Sequence, residues 1–261
     1  MEQVRNIKLL AKKHISGIHR ILLNRDRFWD KLQNKFQSKM DLAYTEAVSE
    51  SSIPILIGRA ELGEENSIEI LNFIDDSILQ LETKIPTNLY SIYEDMVAQM
   101  VLEFDKQIMD NPNAAYLNWL AELLAIDKLL ESNEYEIVNF ESLLTNGKRA
   151  DFELKSKNGI TSYIDVVSLH IKEDKAETKE MLKQHIDSKL TTKISNKFGD
   201  IDRSDKFILP VFWFDYSIID KVVDYIETSD LESENIISPC RLTFFHEDDL
   251  KPHFGTIVTN S

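Results

Sequence analysis

Three acids and a row of lysines are the residues of this chain whose types and spacing could do chemistry. Glu122 stands in Ala121-Glu122-Leu123-Leu124, Asp151 in Arg149-Ala150-Asp151-Phe152, and Asp165 in Tyr163-Ile164-Asp165-Val166. The first lies in a helical pattern and the other two on consecutive strand patterns, so the three carboxylates are expected to meet where a divalent cation binds. Oxygen-only sites of this kind suit Mg²⁺ or Mn²⁺, which use one or two carboxylates together with waters and phosphate oxygens. Further along, Lys189, Lys193 and Lys197 recur every four residues and share one helical stripe.

Whether the two aspartates meet depends on the hairpin between them. Residues two apart on a strand share a face, which groups Asp151 with Glu153, and Tyr163 with Asp165 and Val167. If Asn158 and Gly159 alone form the loop, Asp151 pairs opposite Val166 and the aspartates point to opposite faces. If Lys157, Asn158 and Gly159 form a three-residue loop with Gly159 left-handed, Asp151 lies opposite Asp165. The second register is preferred because it gathers Phe152, Leu154, Ile164 and Val166 on the other face; the first remains open. Carboxylates facing each other across strands repel by roughly 0.2–1 kcal/mol, more when buried, and a bound cation removes that penalty.

The elements that must position these groups follow from periodicity. Residues 4–40 read as helical, with Phe28, Leu32, Phe36 and Met40 on one stripe and Lys31, Lys35 and Lys39 on another. Residues 41–110 read as mainly helical, interrupted at Ser51-Ser52-Ile53-Pro54 and at Lys84-Ile85-Pro86-Thr87. Asp110-Asn111-Pro112-Asn113 is the boundary signal, dividing the chain into a helical N-terminal region, 1–111, and an α/β domain, 112–261. That domain runs helix (115–130), strand (135–140), an Asn146-Gly147 turn, strand (151–155), strand (160–167), long charged helix (174–198) and apolar strand (207–214). A helix at 217–226 and a strand at 241–245 follow. The strands at 160 and 207, joined by a helix, should be parallel, and the first three strands an antiparallel meander. The expectation is a mixed sheet with helices on both faces.

Composition removes several classes. No tract approaches the roughly 20 apolar residues that span a bilayer, and Met1-Glu2-Gln3-Val4-Arg5 opens no secretory signal, so a cytoplasmic protein without membrane attachment is expected. A single cysteine, Cys240, excludes an internal disulfide and a thiolate zinc cluster. No histidine pair has the spacing of a helical zinc site, and with 7 glycines the chain has no dinucleotide or P-loop cradle and no nucleophile elbow. The net charge of -15 hides segregation: +7 over residues 1–40, -16 over 41–140, +1 over 141–200 and -7 over 201–261. The segments least hostile to phosphate are the N-terminal helix and the one holding the aspartates.

At this point the chain resembles the PD-(D/E)XK nuclease superfamily, the restriction-endonuclease-like fold, over roughly residues 112–215. Asp151 matches the motif's first aspartate and Asp165 its second acid, and Glu122 is similar to the glutamate many members carry on the preceding helix. The resemblance implies an αβββαβ core and Mg²⁺- or Mn²⁺-assisted hydrolysis of phosphodiesters, with Asp151, Asp165 and Glu122 as ligands. It also implies a nucleic-acid partner, DNA ahead of RNA. The chain departs from the family at Val167, where the motif lysine would stand. In some members a basic residue of the following helix takes over, which makes Lys189 and Lys193 the candidates here. The missing lysine sustains a second expectation: a non-catalytic binding or assembly protein on a nuclease-like fold, meeting a protein partner through its helical N-terminal region.

Overall fold

The computed structural model describes residues 6–43, 52–103, 116–214, 216–228, 236, 242–246 and 252–256. The chain divides into two units, Met1–Leu123 and Leu124–Ser261, the first helical and the second α/β. The division falls inside helix α7 (Tyr116–Glu131). The expected boundary tract Asp110-Asn111-Pro112-Asn113 and Cys240 lie outside the described residues.

In the first unit the helical pattern of residues 4–40 is not one helix but three: α1 (Ile7–His14), α2 (Ser16–Ile21) and α3 (Asp26–Ala43). The cause of the first break is tertiary. The Gly17 and Ile18 amides donate to the two oxygens of Asp75, at 2.9 and 2.7 Å, instead of to the preceding turn. An ideal Cβ on Gly17 would stand 2.5 Å from Leu79 Cγ, so only glycine permits this approach. Within α3 the stripe Phe28, Leu32 and Phe36 is buried, Lys31 is exposed, and Lys35 donates to the Leu102 carbonyl. The helices α4 (Ile53–Glu61), α5 (Glu65–Glu82) and α6 (Tyr90–Leu102) complete the unit's described part. Pro54 sits in the first turn of α4, where a missing N–H costs nothing. Pro86 precedes a 3₁₀ turn, Thr87–Leu89.

The second unit is built on a four-stranded mixed sheet of order β1 (Tyr135–Leu143), β2 (Arg149–Ser156), β3 (Thr161–Ile171) and β4 (Lys206–Phe214). β1, β2 and β3 form the antiparallel meander, and β3 and β4 are parallel, with Asp165 beside Ile208. Parallel neighbours need a long crossover, and α8 (Lys179–Phe198) supplies it. Thr178 caps its start by accepting from the Met181 amide at 3.2 Å, and Gly199, at φ +56°, ends it. Leu182, Ile186 and Leu190 are buried on one stripe, against a sheet face that carries Leu169, Ile171 and Phe212. Each such side chain contributes about 1.5–3 kcal/mol. Val222 and Tyr225 of α9 (Ile219–Thr228) join the same core. From Ile208 to Phe214 every residue of β4 is buried, although β4 stands last in the four-stranded order rather than at its centre as an apolar run suggests. A separate antiparallel pair, β5 (Leu242–His246) and β6 (Pro252–Thr256), follows; the sequence pattern had suggested only the first. No helix among the described residues is long and apolar enough to cross a membrane.

Candidate functional site

The hairpin decides where the carboxylates go, and it takes the three-residue loop. Gly159 is left-handed at φ +82°, its amide donates to the Ser156 carbonyl at 2.8 Å, and the Ser156 amide donates to the Ile160 carbonyl at 2.9 Å. The register runs Lys155 with Thr161 up to Phe152 with Ile164, so the next position sets Asp151 opposite Asp165. There the ladder gives way to a side chain: Asp151 Oδ2 accepts the Val166 amide at 2.7 Å. Phe152, Leu154, Ile164 and Val166 are buried on the other face, as the preferred register requires.

Asp165 is fully buried on the face covered by α8. Its neighbour two residues on, Val167, packs into the same apolar core, so the strand offers no cation at that position. The helix does. Lys193 Nζ stands 2.8 Å from Asp165 Oδ2, and Lys197 Nζ touches Asp165 Oδ1 and lies 3.9 Å from Asp151 Oδ1. Lys197 also donates to the Arg149 carbonyl on β2. Two carboxylates and two ammoniums thus form one charge-balanced cluster between β2, β3 and α8. Burial, and then the charge of Asp165, raise the Asp151 carboxyl to about 7, against the opposing pull of Lys197, Lys193 and the Val166 amide.

The lysine row turns as it runs. Four residues exceed one 3.6-residue turn, so a row of that spacing rotates by about 40° per step. Lys189 is exposed, whereas the Lys193 and Lys197 side chains are 32% and 19% exposed and reach the aspartates. Of the two lysines put forward from sequence, Lys193 meets Asp165 and Lys189 lies on the outer part of α8; Lys197, a member of the row that was not put forward, meets both acids. The signal that could have ranked it is the buried residue that follows it, Phe198, which pulls the last turn against the sheet. A second residue that sequence reasoning took only for a turn former is Asn146. Its Nδ2 donates to the Lys197 and Phe198 carbonyls at 2.9 and 3.2 Å, closing the C-terminal end of α8 and so holding Lys197 over the acids.

Glu122 is half-buried on α7 and belongs to the first unit, whereas the aspartate pair and both lysines belong to the second, which holds that cluster on its own. His170, near the pair in sequence, is set by strand alternation on the opposite face, where its Nε2 pairs with Ser168 Oγ at 3.1 Å; the Trp213 indole donates to the same hydroxyl at 2.7 Å. Burial first, and then Lys189 and Lys172, lower the His170 pKa to about 4.

The donor chemistry fits a hard divalent ion. Both Asp165 oxygens are buried without a hydrogen bond of good geometry among the described residues, and are answered by charge alone. Among those residues no group of three or more His, Cys, Asp or Glu is gathered to hold a metal. A pair of carboxylates completed by waters and phosphate is the arrangement Mg²⁺ commonly takes. Comparison with protein-family models, with curated proteins and with solved structures found no match to this chain.

Proposed function

We propose that the second unit is a divalent-metal-dependent nuclease of the restriction-endonuclease-like kind, cutting phosphodiester bonds, with α8 supplying the cations that β3 lacks. The observation that carries this reading is the convergence of Asp151, Asp165, Lys193 and Lys197 in one buried cluster. The strand order and the parallel β3–β4 crossover support the fold.

Asp151 Oδ1 and the Asp165 carboxylate would hold Mg²⁺ or Mn²⁺, which when bound polarises a phosphate and acidifies water. The chain's own groups divide the remaining work. Asp151 Oδ2 is committed to the Val166 amide, which fixes the orientation of its free oxygen. Lys197, tied to β2 and to the closed end of α8, keeps the two acids together. Lys193 is the more exposed ammonium and would offer its charge to a substrate phosphate.

The test is cleavage of DNA and RNA by the purified chain with Mg²⁺ or Mn²⁺, alongside Asp165→Asn and Lys193→Met. Cleavage that both substitutions remove supports the reading; cleavage unchanged in Asp165→Asn overturns it. A second reading, a non-catalytic assembly module, has its own observation: Val167 packs as core and two ammoniums already balance the acids. It predicts no cleavage and a melting temperature indifferent to Mg²⁺.

A further inference from the structure

The row that ends at the aspartates begins in a groove. His185, Lys189, Lys193 and Lys197 are each four residues apart on α8, spaced along the axis by about 6 Å. The first two line an open concavity of about 640 Å³ together with Lys175, Met181, Gln184, Ser188 and one acid, Asp187, which accepts from the Tyr225 hydroxyl at 3.3 Å. One stripe therefore joins a surface groove to the buried carboxylates.

We propose that this groove binds the sugar-phosphate backbone of a nucleic-acid strand beside the bond to be cut, with Lys175 and Lys189 as its phosphate contacts. The inference rests on the nuclease reading for the identity of the strand, and on charge for the place. In a chain of net charge -15, the stretch Ser188–Phe198 holds three lysines and no acid. The acids of α8 itself, Glu180 and Asp187, both precede it. Two of its three lysines are already turned to Asp165, whereas Lys189 is exposed and faces the groove. His185 lines the same wall, its ring hydrogen-bonded to the His170 backbone and so held in place. A strand lying along the stripe would meet Lys189 first and Lys193 one step further, which carries its phosphates toward the acids.

Fluorescence anisotropy with a labelled single-stranded oligodeoxythymidine, in EDTA so that nothing is cut, reads this directly. Lys189→Gln should weaken binding ~5-fold, and each of Lys189→Gln and Lys175→Gln should reduce the slope of log affinity against log salt by about 0.7. Lys155→Gln, on an exposed position of β2, should leave both unchanged. No binding by the wild-type chain, or equal affinity and slope in Lys189→Gln and wild type, overturns the groove. Cleavage of the same oligonucleotide with Mn²⁺ separates the two readings. Wild-type cleavage with Lys189→Gln binding normally removes the groove alone; lysine-dependent binding with no wild-type cleavage keeps the groove and removes the nuclease.

Discussion

Asp75 of the first unit and Asp165 of the second are both buried, and the two are treated differently. Asp75, in the helical unit, gives each oxygen a backbone amide, from Gly17 and from Ile18, and so caps a helix from 57 residues away. Asp165, in the α/β unit, is buried more completely yet has no such amide; it faces a second carboxylate and is balanced by lysines from a neighbouring helix. A carboxylate answered by backbone dipoles is part of how the chain folds. One answered by the side chains of a neighbouring helix, of which Lys193 still reaches solvent, costs the fold something and leaves charge available for a ligand.

That contrast can be broken by substitution. Asp165→Asn should lower metal-dependent cleavage at least ~100-fold, since it removes a charged ligand, while Lys193 turns to water, Lys197 keeps the Arg149 carbonyl and the thermal midpoint moves little. A large loss of stability with activity retained would make Asp165 a second Asp75. Asp75→Ala should do the reverse. Two buried amides lose their acceptor, at about 1–3 kcal/mol each, so urea denaturation should show a loss of about 2–6 kcal/mol, with cleavage by the folded protein unaltered.

Titration sharpens the comparison further. The raised Asp151 carboxyl means that, between the ordinary carboxylate range and about 7, the folded protein keeps a proton the unfolded chain has released. The stability this gives is present at acid pH and is lost as pH rises through about 7. Asp151→Asn should remove that decline, seen as a flatter dependence of the denaturation midpoint on pH than in wild type. Identical slopes in the two proteins would show that the pair is not electrostatically strained. The smallest effect expected is that of Asn146→Ala, which should cost about 1 kcal/mol for the lost bonds to the end of α8, together with a drop in kcat at unchanged KM as Lys197 loosens.

The parts that local chemistry controls were legible in the sequence. The loop Lys157-Asn158-Gly159 has the glycine a left-handed third position needs, and from it the β2–β3 register and the shared face of the aspartates follow. The parallel β3–β4 pair followed from strand, long helix and strand in succession. What could not be read depends on distant partners. The break between α1 and α2 is made by Asp75, and nothing near Ile15 or Gly17 announces it. Which lysines reach the acids was hidden for a related reason: their spacing is uniform, and only the packing of Phe198 shows which end of the row leans on the sheet. Asn146 was visible as a turn former, but its hold on α8 spans 51 residues.

The three-residue loop has one further consequence. Because side chains alternate strictly along a strand, deleting a single residue between Ser156 and Ile160 and re-pairing the hairpin would carry one acid of the pair through to the reverse side, with no charged residue lost. The loop is a spacer whose length works like a parity bit: odd, and the catalytic reading is geometrically open; even, and the same inventory of residues is inert.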